Sequence, residues 1–174
     1  MLVLRCTQKL LSHLKQPTAP SATESTTRLG DWYANILRLG PRPFILLVSE
    51  RSRLPIVLPL RDGKRLVTLI QDVVCEALAR AGVLEADIAA ERAEMAEVTF
   101  GRTTDRRVLG TLNDFSRMAK GGVWYGREPE SPEELAAFLA QSPILTLGGA
   151  SPLALTLGSF GHGRKFKPSA ANVH

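Results

Sequence analysis

The chain has 174 residues, a formal net charge of +5 and an apolar content of 44%. These values are typical of one globular domain large enough to bury a core, and they exclude a fibrous or wholly disordered protein. The two cysteines and three histidines are far apart in the sequence, so they predict no disulfide framework and no metal site, and no cofactor motif is present. So few cysteines favour a reducing, cytoplasmic location, and no segment is continuously apolar over the roughly 20 residues that a membrane span needs.

The formal charge is unevenly distributed along the chain. Residues 1–65 carry eleven Lys or Arg against four Asp or Glu, and residues 100–127 carry six against two. Between them, residues 66–99 carry two against seven. Two basic segments around an acidic one can present a surface to an anionic partner. The same pattern also fits solvated faces whose charges pair with one another across the fold.

The N-terminal segment predicts a strand, a helix and a loop. Residues 2–6 alternate as a short strand, and Thr7 can cap a helix that continues to about Lys15. Residues 16–28 are polar, contain two prolines and have no hydrophobic period. They predict a loop or local disorder within the domain.

The next segment predicts a three-stranded antiparallel meander with strands at Trp32–Leu39, Phe44–Val48 and Leu54–Leu60. The second strand is continuously apolar, as expected of a central strand that is covered on both faces. In the third strand, Pro55 and Pro59 have the same parity, so both missing N–H groups face one side. That side is predicted to be a free edge of the sheet.

The following elements are indicated by hydrophobic spacing and capping residues. Apolar positions at helical spacing predict a long helix over residues 66–81, which ends at Gly82. Further predicted elements are a polar helix over 85–95, a strand over 97–102, a helix from Thr104 or Asp105 to Ala119, and a helix from Ser131 to about Ala140.

The C-terminal residues carry a weaker pattern. The tripeptide LTL occurs at residues 145–147 and 155–157 around a Gly/Ser/Pro-rich centre, which predicts a weak hairpin or a loosely held segment. We therefore place a single α+β domain at residues 1–143 and a glycine-rich, loosely ordered extension at residues 144–174. The domain is expected to hold one antiparallel sheet containing the meander, with helices packed mainly on one face.

The segment Asp31–Asn35 is the first candidate for a binding site. In an alternating strand, Tyr33 and Asn35 share the face opposite Trp32. Two aromatic rings with an amide nearby can form a stacking platform for a base or an aromatic side chain. Alternatively, both rings are buried in the core and the amide bonds to a neighbouring loop.

The second candidate is the predicted helix that starts near Asp105. Arg106 and Arg107 lie in its first turn, where cations oppose the helix dipole but can help to bind an anion. Asp105 offsets that cost, so an ordinary structural role also fits. Asn113 and Asp114 lie later in the same helix and are expected to be semi-buried and hydrogen-bonded to the meander. Asp114 has no recognisable partner for acid–base catalysis.

Three motifs of the chain are LRCTQKLL at residues 4–11, LGDWYANILRL at 29–39 and RRVLGTLNDF at 106–115. Together they resemble an uncharacterised bacterial family of unknown function, over roughly residues 1–140. The resemblance implies membership but no activity. The segment VLGTLNDF is also similar to segments of some plasmid- and mobile-element-associated proteins.

These features favour a non-enzymatic cytoplasmic binding or accessory protein, of a mobile-element or antitoxin-like kind, whose partner is a protein or a nucleic acid. The residues expected at its binding surface are Trp32, Tyr33, Asn35, Arg106, Arg107, Asn113 and Asp114. The alternative is an enzyme that acts on a phosphorylated or nucleotide substrate through Arg106, Arg107 and Asp114. A third hypothesis is an interaction through the edge of the sheet, which Pro55 and Pro59 oppose.

Overall fold

The structure, a computed structural model, describes residues 1–121 and 131–162. In chain order its strands are β1 (Leu2–Cys6), β2 (Trp32–Leu39), β3 (Arg42–Ser49), β4 (Pro55–Pro59) and β5 (Val98–Arg102). Its helices are α1 (Gln8–Leu14), α2 (Leu66–Ala81), α3 (Glu85–Glu94), α4 (Arg106–Lys120), α5 (Pro132–Gln141) and α6 (Pro152–Ser159). Two short 3₁₀ helices lie at Leu60–Arg65 and Leu145–Leu147.

The five strands form one mixed sheet in the order β4-β3-β2-β1-β5. The predicted meander is confirmed, since β2, β3 and β4 pair antiparallel and β4 lies at an edge. The expectation of a purely antiparallel sheet is wrong, because β1 pairs parallel with both β2 and β5. A short hairpin reverses the chain and so gives antiparallel neighbours. The long connections beside β1 instead carry the chain back to the end of the sheet where β1 begins, so the next strand can run parallel to β1.

Helices cover both faces of the sheet, so the expectation that they pack mainly on one face is also wrong. On one face, Trp32 and Ile45 lie in a core with residues of α1 and α2. On the other face, Tyr33 and Leu46 lie in a second core with residues of α4 and α5. Successive residues of β2 and β3 thus enter opposite cores, which explains why β3 is apolar at nearly every position.

Residues 144–162 are ordered and belong to the same fold. Ile144 forms an isolated antiparallel bridge with Ala150, and α6 follows in place of the expected hairpin. Ser151 caps α6 and Pro152 occupies its first turn, a start signal that the LTL repeat obscured. Residues 163–174 of the predicted extension lie outside the described residues.

The polar segment at residues 16–28 forms no helix or strand, but it is tied to the sheet. The Ala19 N–H donates to the Phe100 carbonyl at 2.7 Å, beside the edge strand β5. Further along, the Arg5 guanidinium donates to the carbonyl of Thr23 and to Asp31, with Nε at 2.5 Å from Oδ2. The Arg5 and Asp31 side chains are only 3% and 4% exposed. A buried ion pair therefore joins β1 to the residue that precedes β2.

Removing one partner of this pair leaves a buried, uncompensated charge. We expect Asp31→Asn to lower the free energy of unfolding by about 3–5 kcal/mol, measured by chemical denaturation. Asp114→Asn is the matched control, because Asp114 pairs with Arg117 on an exposed helix face. The control should cost less than about 0.5 kcal/mol. Similar losses in the two variants would contradict a structural role for the buried pair.

Candidate functional site

The first turn of α4 is held against β2 by one tyrosine. The Tyr33 hydroxyl lies 3.0 Å from Thr104 Oγ1 and accepts a hydrogen bond from the Asp105 N–H at 3.2 Å. The Asp105 carboxylate in turn accepts from the Arg107 N–H at 2.7 Å and so caps the helix. The predicted strand and the predicted helix therefore do meet, at the start of α4.

The two aromatic residues of the first candidate are both buried, and they lie on opposite faces of the sheet. They therefore do not form the stacking platform that the sequence suggested. Asn35 is half-buried, and its Oδ1 accepts from the Thr7 hydroxyl at 2.8 Å and from the Ile36 N–H at 2.8 Å. Each of the three thus fits the alternative prediction of a structural role.

The arginines of the second candidate are exposed, as an interaction surface requires. Arg106 and Arg107 project from the first turn of α4, and Asn113 is exposed two turns later. The expectation that Asn113 and Asp114 are semi-buried and bonded to the meander is wrong, since both are exposed and Asp114 pairs with Arg117. The reason is that other residues of α4 fill the inward stripe, which comprises Val108, Thr111, Leu112, Phe115 and Ala119.

Sequence reasoning missed Arg53, which lies in the loop between β3 and β4. Arg53 is only 7% exposed, and its backbone adopts a left-handed conformation with φ at 61°. Its Nε atom is buried without a hydrogen-bond partner. The guanidinium makes no hydrogen bond or ion pair with any residue in the two described ranges. Because its buried Nε atom has no partner and its backbone conformation is rare for a residue with a side chain, we add Arg53 to the candidate functional residues.

The surroundings of Arg53 connect it to the start of α4. Burial lowers the pKa of the Arg53 guanidinium, while the nearby carboxylates of Asp105 and Glu50 act in the opposite direction. Both carboxylates have other partners, because Asp105 caps α4 and Glu50 accepts the Asp31 N–H at 3.1 Å. The charge of Arg107 also acts on Arg53. The Arg53 Nε atom is thus buried without a hydrogen-bond partner in the described part of the chain, although carboxylates act on its charge.

Buried hydroxyl groups fix the loop that carries Arg53. The Arg53 N–H donates to the Ser49 carbonyl at 3.1 Å, and the hydroxyls of Ser49 and Ser52 are 2.8 Å apart. Thr156 of α6 donates to the Ser52 hydroxyl at 2.9 Å. All three hydroxyl side chains belong to fully buried residues. The C-terminal helix therefore helps to hold the Arg53 loop.

One signal in the sequence indicates this loop. Arg53 is the fourth of the five residues that connect β3 to β4, and in such turns glycine or asparagine usually provides the left-handed conformation. An arginine there is unusual. Its burial in the assembled fold, however, has no local signal in the sequence.

The chain matches a family of domains of unknown function, DUF6933, over residues 3–154. It belongs to that family. The resemblance expected from the three motifs is therefore confirmed at the level of the family, and the match extends beyond residue 140 into α6 of the DUF6933 chain. No curated protein and no solved structure matches the chain.

An open groove follows the free edge of β4, between α2 and α5. Its empty space measures about 710 Å³, including the part open to solvent, and alanines line both walls. The Ser49 N–H donates to the Leu54 carbonyl, so Leu54 and every second residue after it face β3. Val57 consequently presents the one N–H of β4 on the free side, between Pro55 and Pro59. This arrangement opposes the addition of another strand.

Among residues 1–121 and 131–162, no group of three or more His, Cys, Asp or Glu residues is arranged to hold a metal ion. No helix within these ranges has the length and apolarity required to cross a membrane. Cys6 is buried in the core, and burial raises the pKa of its thiol to about 12. Because a thiolate is the reactive form of cysteine, this thiol is not prepared for nucleophilic chemistry.

Removing the Tyr33 hydroxyl should loosen the start of α4. We expect Tyr33→Phe to lower the free energy of unfolding by about 0.5–1.5 kcal/mol and to speed hydrogen exchange of the Asp105 amide. Ser116→Ala serves as the control, because within the described ranges the Ser116 hydroxyl bonds only to a carbonyl of its own helix, at 2.8 Å. Unchanged exchange at Asp105 in Tyr33→Phe would show that the hydroxyl does not anchor the helix.

The raised pKa of the Cys6 thiol predicts a dependence of stability on pH. The unfolded thiol ionises near 9.0 and the folded thiol near 12, so the folded state favours the neutral form. This contribution is complete below pH 9.0 and is lost as the pH rises toward 12. At about pH 10.5 the loss should reach about 2 kcal/mol. Denaturation of Cys6→Ala across the same range should lack this part of the decline, and an identical decline would exclude Cys6 as its source.

Proposed function

We propose that this chain is a non-enzymatic binding module that uses the exposed face of α4 to contact nucleic acid. The observation that carries the proposal is the composition of this face. Of its charged side chains, four are cations and only one is an anion, Asp114; the cations are Arg106, Arg107, Arg117 and Lys120. Each of these five charged residues is exposed.

The spacing of these residues places most of them along one side of the helix. Asn113, Arg117 and Lys120 follow Arg106 by seven, eleven and fourteen positions, which are whole numbers of helical turns to within a fraction of a residue. With a rise of 1.5 Å per residue, the stripe is about 21 Å long. An α-helix fits the major groove of DNA, cations on its flanks contact phosphates, and asparagine can bond an adenine edge.

The enzyme alternative receives less support from the same geometry. Its only candidate acid, Asp114, has a side chain that is 58% exposed and is already paired with Arg117. Catalytic acids ordinarily lie in clefts that shift their pKa and exclude water. The open face of α4 offers an extended contact surface instead, which favours binding over catalysis.

The test is to remove two cations from α4 and two from elsewhere. We expect wild type to be retained on a DNA or heparin column at low salt and to bind DNA with an affinity that falls steeply with salt. Arg106→Ala/Arg107→Ala should weaken binding by about tenfold or more and reduce the salt slope by about 1–2 units. Fluorescence anisotropy at several salt concentrations measures both effects.

The matched control is Lys64→Ala/Arg65→Ala. It removes the same charge from exposed residues of the 3₁₀ helix before α2, which packs on the opposite face of the sheet from α4. The control should keep near wild-type affinity. Equal weakening in the two double variants would mean that binding depends on net charge alone, and it would contradict a binding surface on α4. Negligible retention of wild type at low salt would also contradict the proposal.

A further inference from the structure

We propose that the groove along the free edge of β4 binds an uncharged aminopurine, a flat ring system in which a ring nitrogen accepts a hydrogen bond beside an amino group that donates one. This site is separate from the proposed nucleic-acid surface, because no residue of α4 lines the groove. Three features of the groove support it: the backbone edge at its floor, the apolar residues of its walls and the charges at its rim.

The floor of the groove is the backbone edge of β4. Five consecutive residues, 54–58, line the groove. Their side chains alternate between the two faces of the sheet, with Ile56 in one core and Val57 in the other. Residues whose side chains point in opposite directions can line one groove only through the edge of the strand that they share. This edge has no neighbouring strand in the described part of the chain.

The edge presents three hydrogen-bonding groups to the groove. Leu54 and every second residue after it face β3, so residues 55 and 57 direct their N–H and C=O groups away from β3. Pro55 has no N–H, which leaves the Pro55 carbonyl, the Val57 N–H and the Val57 carbonyl in that order along the strand. Within the described ranges, none of the three has a hydrogen-bond partner. The groove therefore offers an acceptor, a donor and a second acceptor.

The walls favour a flat ring in the plane of the sheet. One wall belongs to α2 and the other to α5, which pack on opposite faces of the sheet. The wall residues are Val73, Ala77 and Ala81 of α2 and Ala136, Ala137 and Ala140 of α5. Hydrogen bonds at the edge of a sheet lie in its plane, so a ring that bonds to β4 lies between the walls. Both faces of the ring would then contact apolar side chains.

The order of the three backbone groups is complementary to an aminopurine. Adenine places an amino donor, a ring-nitrogen acceptor and a C–H group in sequence on one edge. These can meet the Pro55 carbonyl, the Val57 N–H and the Val57 carbonyl, the last through a weak C–H···O contact. Diaminopurine has amino groups on both sides of the ring nitrogen, so all three backbone groups gain a full hydrogen bond. The affinity of the groove should therefore rise with each amino group on this edge.

The charges at the rim favour an uncharged ligand. Glu76 and Glu133 supply two carboxylates, and Arg80 supplies one guanidinium. All three residues are exposed, and together they carry one more negative than positive charge. A phosphate at the rim would meet more negative than positive charge. A nucleoside therefore fits the groove better than a nucleotide does.

A second polypeptide is a poorer match for the same groove. An added strand would find only one N–H there, because Pro55 lacks this group. A docked helix bonds its own backbone groups internally, so it would bury the Val57 N–H without a partner. A small ring with its own donor and acceptor satisfies the edge instead.

Two variants test the groove, and a third is their control. Val57→Pro removes the one N–H that β4 directs into the groove, and it should weaken the binding of adenosine by about tenfold. Prolines already occupy the equivalent strand positions 55 and 59, so the backbone should accept the change. Ala137→Leu places a larger side chain in the groove and should weaken binding at least as much. Ala79→Leu makes the same change at an exposed residue of α2 outside the groove and should bind adenosine as wild type does.

The probes are three nucleosides that differ only in the amino groups of the purine: those of diaminopurine, of adenine and of unsubstituted purine. We expect the affinity to fall in that order, by about twofold to tenfold at each step. NMR titration measures each affinity from the methyl signals of Ala77 and Ala140, which every variant retains. In wild type the Val57 amide signal should move with them. Arg106→Ala/Arg107→Ala should bind the nucleosides as wild type does, which separates the groove from the α4 surface.

The outcomes decide for or against an aminopurine site. The expected order in wild type, with binding weakened in Val57→Pro and Ala137→Leu but not in Ala79→Leu, would support it. Absent shifts in wild type, or equal affinities for the three nucleosides, would overturn it. Tighter binding of uridine than of adenosine would overturn the choice of an aminopurine, and tighter binding of adenosine monophosphate would overturn the uncharged ligand. If Val57→Pro does not fold, the comparison of Ala137→Leu with Ala79→Leu gives the same decision.

Discussion

The buried ion pair of Arg5 and Asp31 is the constraint on which the arrangement of this fold depends. It joins the interior of β1 to the residue that enters β2, across 26 positions of the chain. With that link in place, β2 pairs parallel with β1 at the register Arg5 to Tyr33. β2 then lies between β1 and β3, where its alternate residues supply both cores. Tyr33, two residues after Asp31, bonds to the residues that start α4, so the ion pair lies next to the segment that holds this helix.

Local patterns in the sequence were enough to predict most of the individual elements. The helix at 66–81 has the predicted bounds because periodicity and a glycine terminator lie within one segment. The meander was predictable for the same reason, since hairpin turns lie between its strands. Parallel pairing of β1 was not predictable, because no local pattern fixes which strands pair across connections as long as those beside β1. The helix α6 was obscured by a tripeptide repeat that resembled a hairpin.

For the candidate site residues, too, exposure was predictable where nearby residues determine it and unpredictable where distant elements determine it. The exposure of the arginines at the start of α4 was predictable from the sequence. Asp105 marks the helix start, and the apolar residues of α4 occupy its inward face, so Arg106 and Arg107 must face solvent. The burial of Trp32 and Tyr33 could not, since it requires two cores that several distant helices complete. Arg53 was least predictable of all. What distinguishes Arg53 is a buried Nε atom without a hydrogen-bond partner among the described residues, and only the assembled fold shows which polar atoms lack partners.

The bond between Thr156 and Ser52 has a consequence for where this protein can be cut. The family match ends at residue 154, two positions before Thr156, which is fully buried. A chain shortened to that boundary would stop inside α6 and lose the hydrogen bond from the Thr156 hydroxyl to the Ser52 hydroxyl. The family match, residues 3–154, therefore omits Thr156, which helps to hold the Arg53 loop. A shortened form of this protein should therefore include all of α6, through Ser159, and should not stop at the end of the family match.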